Sequence, residues 1–117
     1  MKVLVVDDEV AMREILKIML KDFIVLEASN GREAVEIFKK EKPDVILMDI
    51  MMPLSSGISA TEEIKKMDPN AKVIAITAYA SVKGDKMLEA GADYILKKPF
   101  TRREVIEAIR RVTGSKG

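Results

Sequence analysis

No cysteine, histidine or tryptophan occurs among the 117 residues. Without cysteine there is no disulfide framework, no thiolate metal site and no thiol nucleophile. Without histidine the commonest general base and metal-ligating nitrogen is missing, and with it the Ser-His-Asp arrangement of serine hydrolases. No run approaches the roughly 18 consecutive apolar residues of a membrane span. A dominant charge sign is lacking too: 20 basic residues against 19 acidic ones leave a net charge of +1. That balance argues against bulk electrostatic binding to nucleic acid or to an anionic membrane. No cleavable signal pattern precedes the strand-like run that begins at Val3. The expectation is a cytoplasmic chain with no membrane partner and no direct nucleic-acid partner.

Hydrophobic residues make up 48% and charged residues 33% of the chain, enough apolar content for a packed core under a solvated surface. The length fits one domain over 1–117, with a frayed tail expected at 113–117. Charge is uneven along it: residues 97–117 carry a net +5 and the first 96 a net −4.

Five short apolar runs recur: Val3–Val6, Phe23–Leu26, Val45–Met48, Val73–Ile76 and Tyr94–Leu96. Their hydrophobicity is continuous rather than alternating, which predicts strands covered on both faces, as in a parallel sheet. The segments between them read as helices. Residues 10–21 place Ala11, Ile15, Ile18 and Met19 on one face. Residues 31–41 group Ala34, Ile37 and Phe38 after an Asn30-Gly31 turn signal. Residues 58–67 align Ile58, Thr61, Ile64 and Met67, and Asp68-Pro69 stops that helix. Residues 102–113 align Val105, Ile109 and Val112. Segment 81–90 has the sparsest apolar content and contains Gly84. Strand and helix alternating five times predict a (βα)5, flavodoxin-like α/β fold with an open, doubly wound parallel sheet. Such sheets bind ligands outside the carboxyl ends of their strands. The candidate site residues are therefore Asp7, Asp8, Glu9, Asp49, Thr77 and Lys98.

Each of these alone has a plain structural reading: a helix N-cap, a solvated strand end, a surface lysine. Their coincidence at strand ends is what asks for chemistry. Converging carboxylates repel one another, and a hard divalent cation with oxygen ligands, Mg²⁺ above all, relieves that repulsion. Carboxylates, a cation, a lysine and a hydroxyl together suit an incoming phosphoryl group, with one carboxylate as nucleophile.

The motifs Val-Leu-Val-Val-Asp7-Asp8-Glu9, Asp49-Ile-Met-Met-Pro53 with Gly57, Ile76-Thr77-Ala78, and Gly91-Ala92-Asp93 leading to Lys98-Pro99-Phe100 occur in family order and spacing. On these the chain resembles a two-component response-regulator receiver domain from Lys2 to about Val112. The resemblance implies strand order 2-1-3-4-5 and a phosphorylation switch fed by the phosphohistidine of a sensor histidine kinase or phosphotransfer protein. It implies Asp49 as phosphoacceptor, with Asp8, Asp49 and the Met51 carbonyl as direct Mg²⁺ ligands and Asp7 acting mainly through water. Thr77 and Lys98 would grip the phosphoryl oxygens, Ala78 would leave them room, and Lys98-Pro99 would be cis. Met51 and Tyr79 would crowd the hydrolytic water and lengthen the phosphorylated state. Thr77, Tyr94 and Ile95 stand at the switch positions; Ile95 occupies the place of the family's aromatic, with Tyr94 displaced by one, which turns it to the opposite face. A downstream protein would dock on residues 81–112, and the chain would be a monomer or weak dimer. In this reading it catalyses only its own phosphorylation and dephosphorylation.

Two other readings follow from the same residues. A stand-alone Mg²⁺-dependent phosphohydrolase working through an aspartyl-phosphate would want a second acid two residues past the nucleophile, where Met51 stands. A flavin carrier would want a Ser/Thr/Gly-rich phosphate loop after the first strand, where Asp7-Asp8-Glu9 has the wrong charge.

Overall fold

The computed structural model describes residues 1–50, 57–78 and 82–114, with nothing taken from the side chains of 82–85. Among the described residues ten elements follow one another: β1 (Lys2–Val6), α1 (Val10–Met19), β2 (Ile24–Ala28), α2 (Gly31–Glu41), β3 (Val45–Asp49), α3 (Gly57–Met67), β4 (Val73–Thr77), α4 (Val82–Ala90), β5 (Tyr94–Lys97) and α5 (Arg102–Thr113). All strand pairs are parallel, in the order β2-β1-β3-β4-β5. The two-residue side-chain period of a strand divides the core into two layers. Val3, Val5, Leu47, Ile74, Ile76 and Leu96 pack against Leu16 of α1 and Val105, Ala108 and Ile109 of α5. Leu4, Val6, Ile46, Met48 and Ala75 pack against α2, α3 and Met87 of α4. The three inner strands β1, β3 and β4 are buried almost throughout, as their unbroken apolar runs require.

Local chemistry sets the element ends. Asn30 caps α2 by accepting from the Glu33 N–H, and Thr101 and Glu104 form a reciprocal capping box at α5. After α3, Asp68 accepts from the Asn70 and Ala71 N–H groups and turns the chain. The join from α1 to β2 takes only residues 20–23, closed by Phe23 N–H donating to the Leu20 carbonyl. Asp93 ties three elements: its carboxylate accepts from Val73 N–H and from Lys65, each at 2.9 Å. Gly91, at φ +114°, leaves room for the Lys65 stem.

Four expectations are corrected. In α1 the inward residues are Leu16 and, just past it, Leu20, while Ile15 and Ile18 stay 45% and 72% exposed. This helix is apolar on two sides, and its roll is settled by Arg13, which points back at Glu27 of β2 and at the Asp7 carbonyl just past β1. Strand β2 is covered only in part: Val25 packs into one layer and Leu26 and Ala28 into the other, but at the sheet edge Ile24 stays 58% exposed. Met67, expected inside, is 40% exposed at the end of α3. Thr113 is not frayed: it lies in α5, its hydroxyl donates to the Ile109 carbonyl at 2.7 Å, and Gly114 closes the helix in the left-handed region. Residues 115–117 fall outside the described residues.

Thr61 is fully buried on α3, and its Oγ1 lacks a hydrogen-bond partner among the described residues. An orphaned hydroxyl of this kind costs about 1–3 kcal/mol. Thr61→Val keeps the shape and removes the orphan. It is expected to stabilise the chain by about 1 kcal/mol in urea unfolding; a loss of stability would show that the hydroxyl is satisfied in solution.

Candidate functional site

The carboxyl ends of β1, β3, β4 and β5 bring together residues far apart in sequence. Asp7 follows β1 and is 1% exposed, and Asp49 ends β3 at 2%. Asp8 follows Asp7 and is exposed. Carboxylate oxygens of Asp7, Asp8 and Asp49 all lie within 4.8 Å of one another. Lys98 Nζ stands 4.0 Å from Asp49 Oδ2. Thr77, 1% exposed, ends β4, and its carbonyl accepts the Lys98 N–H at 2.8 Å. Ala78 is exposed directly after it, and the Lys98-Pro99 peptide is cis. Glu9 does not join the acidic group. It holds the N-cap position of α1 without a side-chain cap, and its N–H donates to Asp7 Oδ1 at 2.9 Å.

Burial pushes the Asp7 carboxyl up to about 6; the Glu9 N–H opposes this, Asp49 adds to it, Lys98 opposes and Asp8 adds. Asp7 Oδ2 is buried with no hydrogen-bond partner among the described residues. A buried orphaned oxygen beside two further carboxylates is the donor set that a hard divalent cation fits, all oxygen and no sulfur or nitrogen. The residues present therefore suit Mg²⁺.

Gly57 opens α3 against this site. A Cβ there would lie 2.9 Å from the Asp49 carbonyl oxygen and 3.0 Å from Met48 Cγ. The nearer atom is backbone and cannot swing away. Gly57→Ala gains helix propensity of about 1 kcal/mol but must displace the end of β3. The net expectation is a loss of about 2 kcal/mol in urea unfolding. Unchanged stability would show that α3 and β3 separate without cost.

The sequence reading anticipated Asp7, Asp8, Asp49, Thr77 and Lys98, and the fold brings them to one end of the sheet. Met51 and Tyr79 lie outside the described residues. Tyr94 and Ile95 take opposite faces of β5: Ile95 packs into the layer of α2, α3 and α4, whereas Tyr94 packs toward α1 and α5 with the Arg111 guanidinium 5.8 Å above its ring. Sequence reasoning passed over Arg13, whose side chain reaches the Asp7 main chain. Its only signal was a cation one turn into the helix that follows the acids.

No helix among the described residues is long and apolar enough to cross a membrane. Chemotaxis protein CheY of Thermotoga maritima is 44% identical over 120 residues, spanning 96% of this chain and 97% of that protein. The receiver domain of sensor histidine kinase PA1611 from Pseudomonas aeruginosa, solved with a magnesium ion coordinated in its active-site cleft, superposes with a TM-score of 0.90 at 31% identity, covering 97% of this chain and 98% of that one. A chain from the CheX–CheY–BeF3–Mg²⁺ complex of Borrelia burgdorferi gives a TM-score of 0.87 at 32% identity, covering 95% and 87%. The family model for the response regulator receiver domain matches residues 3–110, so strand order, acidic cluster and sequence kinship converge: the chain belongs to the response-regulator receiver domains, the phosphorylation-dependent switches of two-component signalling.

Proposed function

We propose that Asp49 is the phosphoacceptor and that the phosphoryl donor is the phosphohistidine of a sensor histidine kinase or phosphotransfer protein. The observation that carries this reading is the meeting of Asp49 with Asp7, Asp8 and Lys98 at one sheet end. An Asp49 carboxylate oxygen attacks phosphorus, the P–N bond breaks, and the imidazole leaves with its electron pair and takes a proton from solvent. Asp8, Asp49 and the Met51 carbonyl would hold Mg²⁺, with Asp7 acting through water, and the ion would supply positive charge for the phosphoryl oxygens. Lys98 provides a second, fixed cation and Thr77 a hydroxyl donor. Ala78 leaves room beside them. Water later cleaves the acyl phosphate and restores the carboxylate, so the chain catalyses only its own phosphorylation and dephosphorylation. Met51 and Tyr79 belong to this proposal on sequence position alone, as bulky neutral groups that slow that water.

Thr77 and Ile95 share a face of the sheet, which supports signalling from the phosphoryl group through Thr77 toward Ile95 rather than Tyr94. The downstream partner docks on α4, β5 and α5, where Leu88 is 50% exposed and Arg103, Arg110 and Arg111 reach solvent. The CheX–CheY complex among the structural neighbours supports a switch that acts by docking.

The test is incubation with acetyl phosphate and Mg²⁺ followed by mass spectrometry. One acid-stable, base-labile phosphoryl group mapping to residue 49 and abolished by EDTA is expected. Labelling that persists undiminished in EDTA, or that maps elsewhere, overturns the reading.

A further inference from the structure

We propose that Arg13 is a positioning residue for the phosphoacceptor site, acting through the main chain of Asp7 and held in turn by Glu27. This rests on the reading of the acidic cluster as the Mg²⁺ and phosphoryl site.

The Arg13 side chain is only 14% exposed, which is unusual for an arginine on a helix with solvent beside it. Two separate N–H groups are engaged. Arg13 Nη1 donates to the Asp7 carbonyl at 2.6 Å, and Nε donates to Glu27 Oε1 at 3.1 Å. Glu27 is further fixed by Lys17, 3.2 Å from its other oxygen. The neighbouring residue on β2, Ala28, accepts the Asp7 N–H at 3.1 Å. The Glu27-Ala28 dipeptide thus holds both backbone groups of Asp7, one directly and one through Arg13.

The peptide so held is the one that leads into Asp8. Asp7 itself is buried and its Oδ1 is tied to the Glu9 N–H. Asp8 is exposed, and the aim of its carboxylate follows the tilt of the peptide before it. Fixing the Asp7 carbonyl therefore fixes where Asp8 meets Asp49. Lysine cannot substitute, because one ammonium on a flexible stem does not reproduce two donors set in a rigid fork.

Charge and positioning make opposite demands on this residue. Arg13 is a cation behind a cluster of acids, so removing its charge alone would tighten divalent-cation binding. Removing its hold on Asp7 would loosen it.

Mg²⁺ titration by calorimetry of the full chain and of Arg13→Lys, Arg13→Met and Glu27→Gln separates the cases, with circular dichroism fixing a temperature at which each is folded. Both arginine variants should bind Mg²⁺ roughly fivefold to tenfold more weakly than the parent, a loss of about 1–1.4 kcal/mol. Glu27→Gln should weaken it about twofold to threefold, and adding it to Arg13→Lys should cost little more, because the two act in series. Amide exchange in residues 6–13 of the metal-free variants should rise. If the parent itself binds no Mg²⁺, the site reading fails and this inference with it. If the parent binds and Arg13→Lys matches it, or Arg13→Met binds more tightly, Arg13 only staples α1 to β2 and this inference alone is overturned. Should Arg13 variants not fold, Glu27→Gln with parental affinity and parental exchange at 6–13 overturns it.

Discussion

Asp49→Asn is expected to reduce phosphoryl incorporation from acetyl phosphate to background while the chain stays folded. The amide has no anionic oxygen to attack phosphorus, and the remaining acids are poor replacements. Asp7 is buried, with one oxygen bound to the Glu9 N–H and its pKa pushed up to about 6. Asp8 is exposed and does not have Lys98 paired to it as Asp49 does. Folding should survive because the substitution removes one of several mutually repelling charges. Asp49 contributes to the upward push on Asp7, so the Asp7 carboxyl should return toward the ordinary range. The melting temperature at neutral pH should hold or rise in the absence of metal. Labelling of the folded variant at parental stoichiometry would remove Asp49 from its assigned role. A collapse of stability would show instead that Asp49 holds Lys98 in a net stabilising pair.

The second large effect is on pH dependence. In the metal-free chain the Asp7 carboxyl is raised from 3.8 to about 6 by burial first, with the Asp49 and Asp8 charges adding and the Glu9 N–H and Lys98 subtracting. A folded-state pKa above the unfolded one means that the folded chain binds the proton more tightly. This stabilisation is complete below 3.8 and is lost as pH rises through about 6. The metal-free chain should therefore be more stable, and melt higher, at pH 5 than at pH 7.5, by roughly 1 kcal/mol from this group. The absence of histidine leaves that window clear of the side chain that ordinarily titrates there. Glu27 and Glu33 act in the opposite sense, but their carboxyls lie below 4.5: at Glu27 Lys17 and Arg13 outweigh burial, and at Glu33 the Ser29 N–H and hydroxyl hold the charge. Their contributions fall away only under more acidic conditions.

Mg²⁺ favours the ionised cluster, so its stabilising effect should grow from pH 5 to pH 7.5 and reverse the slope. Asp7→Asn should flatten the metal-free profile, raise the melting temperature at pH 7.5 and shrink the Mg²⁺-induced shift. A metal-free chain that melts lower at pH 5 than at pH 7.5, with the same slope in Asp7→Asn, would show that Asp7 is ionised throughout.

Much of this molecule is decided by the chain in one dimension. Continuous apolar runs such as Val45–Met48 and Val73–Ile76, short and rich in β-branched residues, read as strands buried on both faces. Amphipathic segments between them must be the covering helices, and the residue after each run then stands at a strand's carboxyl end. That is why the sequence alone places Asp49, Thr77 and the Asp7-Asp8 pair at one end of the sheet. Spacing of this kind depends on periods of two and 3.6 residues, which are local properties of the backbone.

What depends on neighbours far along the chain needed the fold. Residues 10–19 are apolar around much of the helix, so periodicity could not choose between Leu16 and Ile15 for the core; the anchor at Arg13 chose. The apolar run at the second strand did not reveal that β2 would be an edge with Ile24 in solvent, because strand order is a property of the whole sheet. Asp7 and Asp8 are adjacent and chemically identical, yet one is buried with an orphaned oxygen and the other faces water. Burial at the end of a strand is set by what the crossovers pack above it. For the same reason only the tertiary structure joined Glu27, Arg13 and the Asp7 carbonyl, three groups whose contact exists because β1 and β2 lie side by side with α1 laid across them.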